Sequence, residues 1–473
     1  MKGIKPSILL LFCVVIYLIT TIFFIDKGYF WDNTQHTSIE AHYYYFSDFK
    51  SFFVPKTVPE WNINSTGSPV FLALITAFFW KYIAYKMWIS HSIALITLLF
   101  FVYNGYKLTV SLFGKKLQNW IFAIILMESS VITQYAIAGP DFVLITAFLI
   151  VIRAILEEKK SLIYWGAPFL FLISTRGTFT GAAVVASMLL VAFLHKASLK
   201  NQLRLASAFI PSILASIVYY TSYFSTQGWF FSNSKFANSH KSPDSFREIF
   251  HSILDLGLRM VENGRIFLWS VVIYLVFRYA LKDIRKDTKV QFLILCTLAL
   301  TLIYLLFACI TKMPFLTRYF MPHLLLAMLL FGLMAKKYLS EKIFTIIAGI
   351  ILLFQITGHF WLYPEKMTKV WDSTLAHAPF YKLRNDCYNY LDSTGIDYND
   401  VAAGFCLYDE RRYYDLTDTK KSISRDISKR YYIYSNISGV SDDLIEDFKN
   451  PEHWTLVKEF QNWPIFIRIL ERK

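Results

Sequence analysis

Residues 8–46 read ILLLFCVVIYLITTIFFIDKGYFWDNTQHTSIEAHYYYF. The first half is apolar for close to the ~20 residues that a helix needs to cross a bilayer. At Asp26 the character changes, and within a few residues Asp32, His36, Glu40 and His42 stand among Trp31 and the three tyrosines at 43–45. Rings of that amphipathic kind suit the headgroup level of a membrane. The stretch therefore reads as a spanning helix followed by an interfacial segment carrying acids and imidazoles.

The pattern extends outward over most of the chain. Of its 473 residues 55% are hydrophobic, 18% aromatic and 17% charged, against about 25% charged in a soluble domain. Apolar runs recur near 7–25, 88–106, 118–137, 141–156, 161–175, 178–195, 205–222, 265–281, 290–310, 317–335 and 343–363. They predict an α-helical polytopic membrane protein with about eleven transmembrane helices. The shorter apolar stretch at 69–80 reads as an interfacial or re-entrant helix.

Basic residues orient these helices, because Lys and Arg near span ends stay on the cytoplasmic side. Lys2 and Lys5, Lys107 with Lys115 and Lys116, Arg153 with Lys159 and Lys160, Lys196 to Arg204, Arg278 to Lys289, and Lys336 to Lys342 all fall on one side. The amino terminus is thus expected inside and the carboxyl end outside. The net charge of +14 is a topology signal. It is not the basic face of a nucleic-acid-binding domain. Residues 1–25 read as a retained anchor, since no small-residue cleavage pattern precedes Asp26.

Two regions are expected: a transmembrane module, 1–363, with a first outer loop at 26–87, and a soluble extracytoplasmic α/β domain, 364–473. In the latter, acids and bases nearly balance, RYYIYS and PIFIRIL are strand-like, and DDLIEDFKN is helical. Cys387 and Cys406 both lie there, in a compartment that permits a disulfide. The chain has no Gly-rich phosphate loop for a nucleotide.

If residues 31–45 are helical, Asp32, His36 and Glu40 follow one another at i, i+4 and i+8 on one face. The plain alternative is an amphipathic helix whose charged face meets water. A carboxylate just above lipid tails suits glycosyl transfer from a polyprenyl-phosphate sugar, where it would take the proton of an attacking acceptor hydroxyl. Cations would stabilise the departing phosphate, and the outer turns offer Arg318, Lys312 and Arg176. Asp32, His36 and Glu40 also make a mixed nitrogen and oxygen set that would suit a divalent metal ion such as zinc or manganese. Asp141 begins a span, where the helix dipole alone favours an acid. Glu128 lies within an apolar run and would be bonded by Ser129 or Ser130.

Asp32 soon after the first span, the PD of GPDFVLITAFL at Pro140–Asp141, and RYFMPHLLLAMLL from Arg318 onward together resemble membrane glycosyltransferases of the GT-C superfamily. The likeness is to the bacterial branch of protein O-mannosyltransferases and lipid A aminoarabinose transferases. It implies an inverting transfer from a polyprenyl-phosphate sugar to a lipid, glycan or protein acceptor on the extracytoplasmic face of the inner membrane. Asp32 then matches the first-loop catalytic acid, Asp141 the second-loop acid, and Arg318 the residue near the donor phosphate. Relatives commonly carry an acidic pair in the first loop. Asn33 follows Asp32 here, so Glu40 becomes the candidate second carboxylate. The rival readings are a transporter or flippase of lipid-linked glycans, a glycan polymerase or ligase, and an envelope scaffold.

Overall fold

The computed structural model describes residues 6–195, 199–229, 241–280, 286–312, 315–361, 364–367 and 371–473. Lys2, Lys5 and the centre of the second outer segment lie outside the described residues. Among those described, six helices are long and apolar enough to cross a membrane: Trp88–Gly114, Thr175–Leu194, Leu203–Gln227, Thr288–Ile310, Thr317–Tyr338 and Glu341–Gly358. A seventh is reached if Phe246–Val261 and Arg265–Arg278, bent by 93° at their junction, count as one broken span.

The first apolar run is the 19-residue helix Pro6–Phe24; the others form shorter pieces, and the sequence explains why. Glu128 takes an extended conformation and caps the next helix, accepting from the Val131 amide at 2.9 Å, so the run at 118–137 is cut in two. Lys160–Leu172 has only 13 residues and carries Pro168 inside it, where the missing N–H weakens a helix. Pro140–Leu156 starts on proline after extended Gly139 and is 17 residues long. The expected interfacial piece at 69–80 is the helix Phe71–Tyr82.

Thr317–Tyr338 is the axis of the bundle. Its apolar window is 89% buried, against 28% for Thr288–Ile310, because Leu324, Ala327, Leu329 and Phe331 meet protein on every side. Helices that are apolar all round take such positions. Whatever stands at the start of this axis is held from all directions, and Arg318 stands there.

The carboxyl-terminal region is a four-stranded mixed sheet in the order Val401–Ala403, Tyr431–Ser435, Ile465–Arg472, Trp454–Asn462. The first pair is parallel and the other two antiparallel, with Tyr432 opposite Leu470 and Ile433 opposite Ile469. Alternation sends Ile465, Ile467 and Ile469 to one face, where they pack with Leu383, Cys387 and Leu391 of the helix Phe380–Thr394. Tyr432, Tyr434 and Leu470 meet Phe448 and Trp454 on the other face. The predicted strands and the helix at 442–448 are all present. Cys387 and Cys406 are buried thiols and form no disulfide; burial pushes Cys387 up to about 12. Phe24, Phe30, Trp31 and Ile137 join the same apolar cluster as Phe380 and Ile433, so this domain is seated directly on one end of the helices.

Candidate functional site

Five turns at one end of the helices converge. Asp32 follows Trp31, whose φ of 55° turns the chain sharply into the next helical segment. Asp141 lies in the first turn of Pro140–Leu156. Arg176 lies in the first turn of Thr175–Leu194, a helix capped by Ser174, which accepts from the Gly177 amide at 3.2 Å. Arg318 sits in the 3₁₀ turn Thr317–Phe320. Asp372 sits in another, Trp371–Ser373, just after the last span.

Arg318 is the hub. Its Nε meets Asp141 at 2.7 Å, its Nη2 is paired with Asp32, and its Nη1 with Asp372. The planar donor fork of arginine permits three partners at once. Asp141 has a second partner, Arg176 Nη2, at 2.8 Å, and that guanidinium lies over the Tyr319 ring, 3.9 Å from its centroid. Three acids thus share two arginines, leaving a net negative centre. The Asp141 and Asp372 side chains are 2% and 1% exposed, whereas Asp32 is 27% exposed. One acid of the three is presented outward.

It faces a cavity of about 1290 Å³. Its wall carries Trp31, Asp32, His36, Arg176 and the turn Thr66–Ser68, the apolar side chains Leu300, Ile303 and Phe307 of Thr288–Ile310 and Leu254 and Leu258 of Phe246–Val261, and the further polar groups His251, Asp255, Arg259 and Lys366. Phe405 and Gly439 of the carboxyl-terminal domain also line it. Burial pushes the Asp32 carboxyl up, but Arg318, then His36 and Arg176, outweigh it and hold it below its ordinary value. His36 is held below its ordinary value by burial, helped by Arg176 and Arg318 and opposed by Asp32; its Nδ1 is 2.9 Å from the Ser68 hydroxyl. At neutral pH the cavity therefore meets an ionised carboxylate beside a neutral imidazole.

Compared with solved structures, the chain aligns along nearly its whole length. The fold is that of ArnT. The structure of ArnT from Cupriavidus metallidurans in the apo state matches with a TM-score of 0.56, and the one bound to undecaprenyl phosphate with 0.52. Each covers 97% of both chains at 10% sequence identity. No family model matches the sequence, and no curated protein matches it. The likeness to ArnT is thus carried by the backbone.

Not every expected site residue reaches this centre. The segment after Asp32 is a π-helix, Thr34–Ile39, followed by the α-helix Glu40–Ser47, and i→i+5 bonding breaks the even i, i+4, i+8 face. Glu40 instead turns to the 65–68 loop, accepting from the Thr66 amide at 3.0 Å and its hydroxyl at 2.6 Å. Burial raises it to about 7. Asp32, His36 and Glu40 consequently do not form one ligand set, and among the described residues no group of three or more His, Cys, Asp or Glu is arranged to hold a metal ion. Lys312 is drawn away from the cavity by Asp244 at 2.5 Å and Glu248 at 3.1 Å. His42 is fully buried, bonded to the Ser38 carbonyl and the Tyr85 hydroxyl.

Asn33 is explained by its contact: its amide donates to the Ile137 carbonyl at 2.5 Å. A carboxylate cannot donate, so an acid at position 33 would lose this tie between the first loop and the turn before Asp141. Glu128 accepts from the Ser129 hydroxyl at 3.4 Å, as expected, but has a stronger partner. That partner is Arg265, whose Nη2 lies 2.5 Å and Nε 2.9 Å from its carboxylate, and Ser130 binds the same guanidinium. Sequence reasoning also passed over Asp372. The signal was present, since Trp371–Asp372 stands just beyond the last span as Trp31–Asp32 stands beyond the first.

Proposed function

We propose that this chain is an integral membrane glycosyltransferase that moves a sugar from a polyprenyl-phosphate donor to an envelope acceptor, lipid, glycan or protein, on the extracytoplasmic face of the inner membrane. The observation that carries the reading is Asp32: a carboxylate held ionised at the wall of a large cavity that also carries Arg176 and a set of apolar side chains. Such a cavity suits a lipid-linked sugar, with the tail along Leu300, Ile303 and Phe307 and the sugar near Asp32. ArnT, which shares the fold, has been solved bound to undecaprenyl phosphate.

In this mechanism Asp32 accepts the proton of the acceptor hydroxyl while its oxygen attacks the anomeric carbon. The bond from that carbon to the phosphate oxygen breaks, and the polyprenyl phosphate leaves with the electron pair. Attack opposite the leaving group inverts the anomeric centre. Arg176, which lines the cavity, stabilises the leaving phosphate, while Asp141 orients Arg176 and Arg318. Arg318, enclosed by acids, acts by aiming Asp32. The shorter helices complete about eleven crossings, which puts the amino terminus inside and the domain 364–473 outside.

Mass spectrometry of polyprenyl-phosphate sugars and envelope glycans tests this in cells with the intact gene, a deletion, or Asp32→Asn. One lipid-linked sugar should accumulate, and that sugar should vanish from one glycan, alike in deletion and point variant. Unchanged pools in both strains, with the protein expressed, would favour a transporter of lipid-linked glycans.

A further inference from the structure

We propose that His36 is a second residue of this site that touches substrate: its Nε2 binds a hydroxyl of the transferred sugar, beside the carboxylate of Asp32. The proposal rests on the transferase reading above.

From Tyr29 to Tyr44 every residue is buried except Asp32 and His36. Both line the cavity. A segment packed this closely has turned its other polar groups into protein, so the two it leaves open face whatever the cavity holds. The imidazole is not a loose surface group. Its Nδ1 lies 2.9 Å from the Ser68 hydroxyl, the Ser68 amide donates to the Thr66 hydroxyl at 3.3 Å, and Thr66 is tied by its own amide and hydroxyl to the buried Glu40 carboxyl. Nδ1 thus holds the ring in place. Nε2 is open to the cavity and has no partner among the described residues.

The chemistry of that open nitrogen suits a hydroxyl. If Ser68 donates to Nδ1, the neutral ring carries its hydrogen on Nε2 and donates; if Nδ1 donates to Ser68, Nε2 accepts. A sugar hydroxyl answers either form, whereas an ionised phosphate oxygen only accepts. Trp31 and Phe405, whose rings meet edge to face at 5.1 Å and line the same cavity, add apolar surface against which the carbons of a sugar ring pack.

The two amides that resemble histidine separate this role from a structural one. The asparagine side chain reaches the place of Nδ1 and keeps the tie to Ser68, while that of glutamine reaches the place of Nε2 and keeps the contact with substrate. His36→Asn should therefore lower the glycan product about tenfold, the worth of one hydrogen bond to substrate, and His36→Gln should recover most of it. Neither should change the affinity for bare undecaprenyl phosphate, which carries no sugar, by more than about twofold. Mass spectrometry of envelope glycans soon after induced expression reads the product, titration of the full-length protein in nanodiscs reads the lipid, and thermal unfolding checks each fold.

Loss of product in His36→Asn with recovery in His36→Gln supports the contact, and either result decides it alone if the other variant does not fold. Product retained by His36→Asn, product lost by a folded His36→Gln, or weaker binding of undecaprenyl phosphate by either variant overturns it. Envelope glycans unchanged by deletion of the whole gene would strike the transferase reading instead, a result distinct from any outcome for the variants.

Discussion

Two of the buried arginines, Arg265 and Arg318, organise charge differently. Arg265 meets one carboxylate, Glu128, and its other donors go to Ser130 and to the Thr317 carbonyl at 3.1 Å, while Glu128 also caps a helix. Arg318 meets three carboxylates, shares one of them with Arg176, and leaves Asp32 partly exposed to a cavity. The first cluster is closed and balanced, which is how a membrane interior tolerates charge. The second has more acid than its folding role requires and shows it to a ligand-sized space. A buried acid in a closed cluster is thus accounted for by its partners, and the proposed function rests on the one that faces a cavity.

Breaking the open cluster should have the larger effect on chemistry. Asp32→Asn is expected to cut transfer by roughly 10²–10⁴-fold, the usual worth of a positioned base, with little change in expression or thermal unfolding. Because Asp32 is held below its ordinary value, wild-type turnover should persist into mild acid and fall only as pH drops through that depressed pKa. A pH–rate profile measures this, and an acid limb near neutrality would point to another base.

The closed cluster should respond in stability instead. Glu128→Ala leaves Arg265 buried without its carboxylate and should cost about 3–5 kcal/mol, whereas Glu128→Gln combined with Arg265→Met should recover most of that. Denaturation of the purified variants in detergent reads the difference. A smaller effect is expected at Glu40. Its folded pKa of about 7 lies above the ordinary 4.5, so the folded state holds a proton that the unfolded chain releases, and stability falls as pH rises from about 4.5 through 7. Glu40→Gln should match the wild type near pH 5 and exceed it at pH 8 by on the order of 1–3 kcal/mol, seen as a crossing of the melting curves.

The smallest change is expected at Lys312. It pairs with exposed Asp244 and Glu248, and such surface pairs contribute little. Lys312→Ala should leave undecaprenyl phosphate affinity within about twofold of wild type, while Arg176→Ala should weaken it at least tenfold. Equal losses would return Lys312 to the phosphate site.

What could be seen in the sequence and what could not divide along the same line. That Asp32, Asp141, Arg176 and Arg318 come together could be anticipated because each stands where an apolar run meets a turn, and the fold gathers those turns. Glu40 was misplaced because helical spacing assumes a regular helix, and a π-helical segment intervenes. Lys312 was misassigned because its partners, Asp244 and Glu248, are about 65 residues away in sequence and adjacent only in space. Glu128 was recognised as costly, but nothing local pointed to Arg265. Where the apolar runs break was illegible for a related reason: apolar composition marks what is buried, while Pro168 and the cap at Glu128 decide how long a helix runs.

The most direct test of the central claim is an experimental structure of the full chain with undecaprenyl phosphate bound. The account predicts the phosphate against Arg176 within reach of Asp32, the tail along Leu300, Ile303 and Phe307, and Arg318 still held by Asp32, Asp141 and Asp372. A phosphate seated on Arg318 with those carboxylates displaced, or a lipid bound away from Asp32, would contradict it.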